Sequence, residues 1–122
     1  MKTLVSDVTI TLDGNDYPLR PSLKAASAIS NQYGGFMGAY QALANGNLQA
    51  IQFIVRQAIP TPDQRGISTQ ELNEMVWRTG TTTLTAPISK YLSRLQNGGR
   101  DPSGEDDDDA IADEGNEGNG EI

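Results

Sequence analysis

Carboxylates are the side chains this 122-residue chain supplies most freely for chemistry, yet their spacing argues against most of what carboxylates do. Four aspartates run from Asp106 to Asp109, followed by Asp113, Glu114, Glu117 and Glu121. Such a run can attract a divalent cation, or imitate a polyanion on a basic surface. A calcium loop needs alternating acids, a central glycine and a closing glutamate; neither the aspartate run nor residues 113–120 has that order. Upstream, the carboxylates are Asp7, Asp13, Asp16, Asp63, Glu71 and Glu74. A turn accounts for Asp13 and Asp16 and a helix cap for Glu71, so no pair stands out for acid–base work.

The chain has no histidine and no cysteine. Gone with them are the commonest general base and metal ligand, thiolate zinc sites, disulfides and a cysteine nucleophile. No phosphate loop, nucleophile elbow or dinucleotide fingerprint is present. The expectation is a protein that is not an enzyme, with no catalytic residue, no metal site and no cofactor.

Charge is split between two regions. Residues 101–122 hold ten acids and no base, whereas residues 1–100 hold nine bases against six acids. The overall charge of −7 therefore belongs to the tail. Arg20 and Lys24 adjoin one another, and Lys90, Arg94 and Arg100 recur further on; Lys90 and Arg94, at i and i+4, read as a solvated helix face. Four aromatics are candidates for a partner interface. Tyr33, Phe36 and Tyr40 flank a glycine pair, and Trp77 lies beside an apolar stripe, where an aromatic can anchor a partner.

These residues need elements to hold them. Leu4, Val5, Val8, Ile10 and Leu12 give a near-alternating strand. Asp13-Gly14-Asn15-Asp16 is a turn, and Tyr17-Pro18-Leu19 a short return strand whose proline belongs on an edge. From Pro21 the period becomes helical. Ser22 caps a first helix with apolar positions Leu23, Ala26, Ile29 and Tyr33, ended by Gly34-Gly35. A second carries Phe36, Met37, Tyr40, Leu43 and Ala44. Asn47 caps a third, bearing Leu48, Ile51, Phe53, Ile54, Val55, Ala58 and Ile59, apolar over most of its circumference and so central.

Residues 60–66 read as a loop. Ser68-Thr69-Gln70-Glu71 is a capping box for a fourth helix with inner residues Leu72, Met75 and Val76, closed by Gly80. The last helix carries the stripe Leu84, Ile88, Tyr91, Leu92 and Leu95, with Pro87 expected in its first turn. The fold class is α+β, mostly α: an N-terminal β-hairpin packed on a small bundle of about five short helices. Residues 1–99 form that domain, and 100–122 form an acidic tail expected to be disordered in isolation. No apolar run nears the ~20 residues a membrane span needs, and no signal peptide is evident, which suits the cytoplasm.

The hairpin V-x-I-x-L-x-G-x-x-Y-x-L-R-P, Val8 to Pro21, leads into a small-residue helix ending in Tyr33-Gly34-Gly35-Phe36. The domain closes on Tyr-Leu-x-x-Leu-x-x-Gly-Gly, Tyr91 to Gly99. This arrangement resembles the tail assembly chaperones of siphophages and gene transfer agents. The resemblance implies a non-enzymatic helper in virion assembly, acting in the host cytoplasm and absent from the mature virion. Its implied partners are the tape-measure protein, kept soluble, and the major tail tube protein, with homo-oligomers forming along the partner. Neither nucleic acid nor membrane is a partner on this reading. Two alternatives are a structural tail component, such as a terminator or connector subunit, and an acidic inhibitor of a nucleic-acid-binding protein.

Overall fold

The computed structural model describes residues 6–102. Leu4 and Val5, and the acidic residues from 103 onward expected to be disordered, lie outside the described residues. The fold class is α+β, mostly α, a two-stranded hairpin followed by five helices.

Strands β1 (Val8–Leu12) and β2 (Asn15–Leu19) pair antiparallel, with Val8 opposite Leu19 and Leu12 opposite Asn15. The turn is tighter than the four residues expected, because Asn15 and Asp16 already belong to β2. Asp13 at φ 51° and Gly14 at φ 82° are its two central residues. Two positive φ values in succession make the turn whose twist matches that of the strands. Counting alternately from the closing Leu12–Asn15 pair, Pro18 faces Thr9 at a non-hydrogen-bonded pair, so its missing N–H costs the ladder nothing. Val8, Ile10, Leu12 and Leu19 are buried on one face, while Thr9 and Thr11 meet solvent.

Helix α1 spans Leu23–Tyr33 and α2 Phe36–Ala44. The Ser22 hydroxyl accepts the Ala25 N–H at 3.1 Å, and Gly34 ends α1 at φ 69°. Their inward faces differ from the expected ones: Ala25 and Ile29 are buried in α1, Ala39 and Leu43 in α2, whereas Leu23 and Met37 are 83% and 68% exposed. At about 100° per residue, each exposed residue stands roughly 200° from the alanine two places on. The helices turn their small residues inward so that backbones can approach.

Helix α3 (Leu48–Ala58), capped by Asn47 accepting from Ala50 N–H at 3.1 Å, packs against α1, α2, α4, α5 and β2. It is the centre of the bundle, with Ile51, Ile54 and Val55 fully enclosed. Burying each such side chain stabilises the fold by roughly 1.5–3 kcal/mol. The expected loop contains a 3₁₀ turn, Thr61–Gln64. Gln64 donates from Nε2 to the carbonyls of Arg56 and Ile59 at 2.9 and 2.8 Å, satisfying acceptors that the end of α3 leaves open.

Helix α4 (Thr69–Thr79) starts in the expected capping box, with Ser68 and Glu71 each bonding the other's backbone N–H. Leu72, Met75 and Val76 face inward. Helix α5 spans Thr81–Gln96, so Pro87 sits inside the helix and not in its first turn. The bond lost there is the one to the Thr83 carbonyl, on an exposed residue that water can reach. The stripe Leu84, Ile88, Tyr91, Leu92 and Leu95 is buried throughout.

Candidate partner-binding surface

The four aromatics singled out in the sequence occupy two environments. Tyr33, Phe36 and Tyr40 are half-buried and packed against the core, whereas Trp77 is 64% exposed. Tyr33 ends α1, and its ring meets that of Phe53 edge-on, with centroids 5.9 Å apart and planes at 80°. The Arg56 guanidinium lies over the Phe53 ring at 5.8 Å and donates to Asn73 Oδ1 at 2.7 Å. Gln52 donates to the Asn73 carbonyl at 3.0 Å, so α3 and α4 are joined here by amide chemistry. Burial raises the Tyr33 phenol above its ordinary pKa, and the charge of Arg56 partly offsets this. The cleft around these residues has a volume of about 460 Å³ and is lined by Gln32, Gln49 and Asn73 beside the aromatic pair. It offers amide hydrogen bonds and an aromatic floor, without a carboxylate among its lining.

Phe36 opens α2 because Gly35, at φ 119°, lets the chain reverse directly after α1. Gly38, which no motif marked, makes that reversal possible. A methyl group there would run into the Tyr33 carbonyl oxygen, so α2 can lie against the end of α1 only with glycine at this position.

Trp77 stands about 100° from Val76 on the helical wheel and roughly 40° from Asn73, which places it one turn along from the α3–α4 contact. Its neighbour Arg78 pairs with Asp13 of the hairpin turn, Nη2 to Oδ2 at 2.6 Å. Side-chain bonding and attraction to Asp13 raise the Arg78 pKa further. With Leu23 and Met37, Trp77 makes up the large apolar side chains left exposed among the described residues. Helical spacing puts the tryptophan at the rim of its apolar stripe and counts Leu23 and Met37 among the apolar positions of α1 and α2.

The basic residues differ from expectation at one position. Arg94 does not share a solvated face with Lys90: it is 5% exposed, donating to the Ser6 carbonyl at 3.4 Å and pairing with Asp101 at 3.5 Å. The first and last described residues thus converge on the end of α5, and Asp101, beyond the expected boundary at 99, is tied to the folded part. Arg20 is held by Asp7, with bonds of 3.0 and 2.8 Å. Tyr91 donates its hydroxyl to the Arg20 carbonyl at 3.0 Å, and burial beside Asp7 pushes that phenol well above its ordinary pKa. Apart from Asp101, seven residues from Arg94, none of these partners is close in sequence, so no motif could announce them. Lys24 and Lys90 are exposed.

Among the described residues no group of three or more acidic, histidine or cysteine side chains could hold a metal ion. No helix among them is long and apolar enough to cross a membrane. Compared with known proteins, the chain matches no family model, no curated sequence and no solved structure.

Proposed function

We propose that this chain is a non-catalytic protein-binding module: a tail assembly chaperone that coats a long helical tape-measure protein and keeps it soluble in the host cytoplasm, leaving before the virion matures. The observation that carries the reading is Trp77. It is the chain's only tryptophan, a residue type enriched at binding hot spots, and it is left 64% exposed on a helix whose neighbouring faces are already used. Met37 and Leu23 add exposed apolar area on α2 and α1. The class of partner comes from the resemblance carried by Val8–Pro21, Tyr33–Phe36 and Tyr91–Gly99. An amphipathic helix buries its apolar side against such anchors. The ten acids of 101–122 would make coated complexes repel one another. Several copies would line one partner, and the major tail tube protein would take their place.

Co-expression with a tape-measure protein tests this. The chain should carry the tape-measure protein into the soluble fraction, and the complex should survive ~1 M salt, where the screening length falls to about 3 Å. Replacing Trp77, Met37 and Leu23 together by serine should abolish rescue while the circular dichroism spectrum stays unchanged, since all three are exposed. Rescue by the triple variant, or a complex that high salt dissolves, would overturn the apolar-contact reading and favour a polyanion mimic.

A further inference from the structure

Helix α3 is apolar over most of its circumference, and what remains is one stripe. Gln49, Gln52, Phe53, Arg56 and Gln57 recur on it at helical spacing. These residues line two concavities that follow α1 and α3. The first, of about 460 Å³, is the aromatic cleft, walled by Gln32 and Tyr33 of α1 and by Asn73 of α4. The second, of about 450 Å³, is walled by Arg20, by Lys24 of α1 and by Gln64 of the 3₁₀ turn. Arg56 lines both, so together they make a trough floored by α3.

Neither lining contains a carboxylate. Arg20 is paired with Asp7, but Lys24 and Arg56 form no ion pair with any described residue. Arg56 is held by neutral groups, the Asn73 amide oxygen at 2.7 Å and the Phe53 ring, so its charge is fixed in place yet uncompensated. Around the two cations stand amides. Those of Gln32, Gln49 and Gln57 make no hydrogen bond to another described residue.

An amide donates and accepts, as each unit of a peptide backbone does, and a guanidinium or ammonium takes a carboxylate. At the helical rise the stripe from Gln49 to Gln57 is about 12 Å long, which matches about four residues of extended chain. A nucleic-acid strand fits less well. It needs open aromatic faces for its bases, and Arg56 already lies over the Phe53 ring. Two uncompensated cations also match a segment with a few acids better than a strand with a phosphate at every residue.

We infer that this trough binds an extended acidic segment of a partner protein, its backbone bonded by the glutamines and its carboxylates held by Arg56 and Lys24. The contact is separate from the one at Trp77. Salt screens the charges of the trough and leaves an apolar contact in place, so either can fail without the other.

The test is a titration of the full chain with a capped peptide of alternating glutamate and serine, followed by amide chemical shifts. Shifts should gather at Lys24, Tyr33, Gln49, Phe53, Arg56 and Asn73, and should vanish at ~1 M salt. The same peptide with lysine in place of glutamate should leave these signals unmoved. Arg56→Gln should weaken binding about tenfold or more, the loss expected for a charge-assisted bond. Lys24→Gln, at an exposed site that leaves the fold intact, should weaken it severalfold. No shifts, or shifts centred elsewhere (around Lys90 or Trp77), would overturn the inference. So would undiminished binding by both variants, equal binding of the lysine peptide, or tighter binding of a single-stranded oligothymidylate, which would make the trough a nucleic-acid groove.

Discussion

At each end of the hairpin an aspartate meets an arginine in a two-pronged fork, and the surroundings of the two forks have little in common. At the base, Arg20 reaches both oxygens of Asp7 at 3.0 and 2.8 Å, and the Asp7 side chain is wholly enclosed. At the tip, Arg78 reaches both oxygens of Asp13 at 3.5 and 2.6 Å, with side chains 49% and 40% exposed. Charge and connectivity match; desolvation does not. At the base, the Asp7 carboxylate is shut off from water and relies on protein hydrogen bonds, while the Arg20 side chain stays 29% exposed. At the tip, water replaces either partner at little cost. The base also gathers long-range backbone bonds: Arg20 N–H donates to the Ala58 carbonyl at 2.9 Å, and Tyr91 to the Arg20 carbonyl. Structure is concentrated there, where both ends of the domain converge.

The largest effect should follow from removing one charge at the base. Arg20→Met leaves the Asp7 carboxylate enclosed without its guanidinium and should cost about 3–5 kcal/mol in urea denaturation. Replacing both residues by apolar ones (Asp7→Leu with Arg20→Met) should recover most of that loss, because no charge is then stranded. A double variant as unstable as the single would show that the pair matters for shape and not for charge balance.

A smaller effect concerns Tyr91. Losing its hydrogen bond in Tyr91→Phe should cost about 1 kcal/mol at neutral pH. Burial raises the folded-state pKa of this phenol above that in the unfolded chain. Below about pH 10 the phenol is neutral in both states and its contribution is fully present. As pH rises through the unfolded value, only the unfolded chain releases the proton, so stability falls. The native chain should therefore lose stability more steeply between about pH 10 and 12 than Tyr91→Phe does. Parallel curves would mean that Tyr91 ionises freely and that the base is wetter than its packing indicates.

The smallest effect belongs to the tip. Arg78→Ala should leave the denaturation midpoint unchanged, since the pair is exposed and solvent screens it. A midpoint shift comparable to that of Arg20→Met would erase the distinction between the two forks.

What the sequence alone determined is local. The caps at Ser22 and Asn47, the Ser68–Glu71 box, the left-handed ending at Gly34 and the positive-φ turn at Gly14 each involve groups within about four residues, and all formed as their chemistry dictates. The stripe from Leu84 to Leu95 was equally legible, because one helix carries the whole pattern. Of the interface candidates, Trp77 was readable as an exposed rim residue from its angle beside Val76. Tyr33, Phe36 and Tyr40 were readable as apolar positions of α1 and α2, where core packing is the ordinary role, and they are half-buried against the core.

What only tertiary structure decided depends on partners far along the chain. Leu23 and Met37 lost their inward places to Ala25 and Ala39, since the bundle admits α1 and α2 close up, with Gly38 against the Tyr33 carbonyl. Arg94 left the solvated face for a site between Ser6 and Asp101, one of which is 88 residues away. Helical periodicity gives the angle between residues on one helix, but not which side of a helix its neighbours will cover. That choice is made by the backbone distance and the buried charges of elements that sequence spacing does not relate.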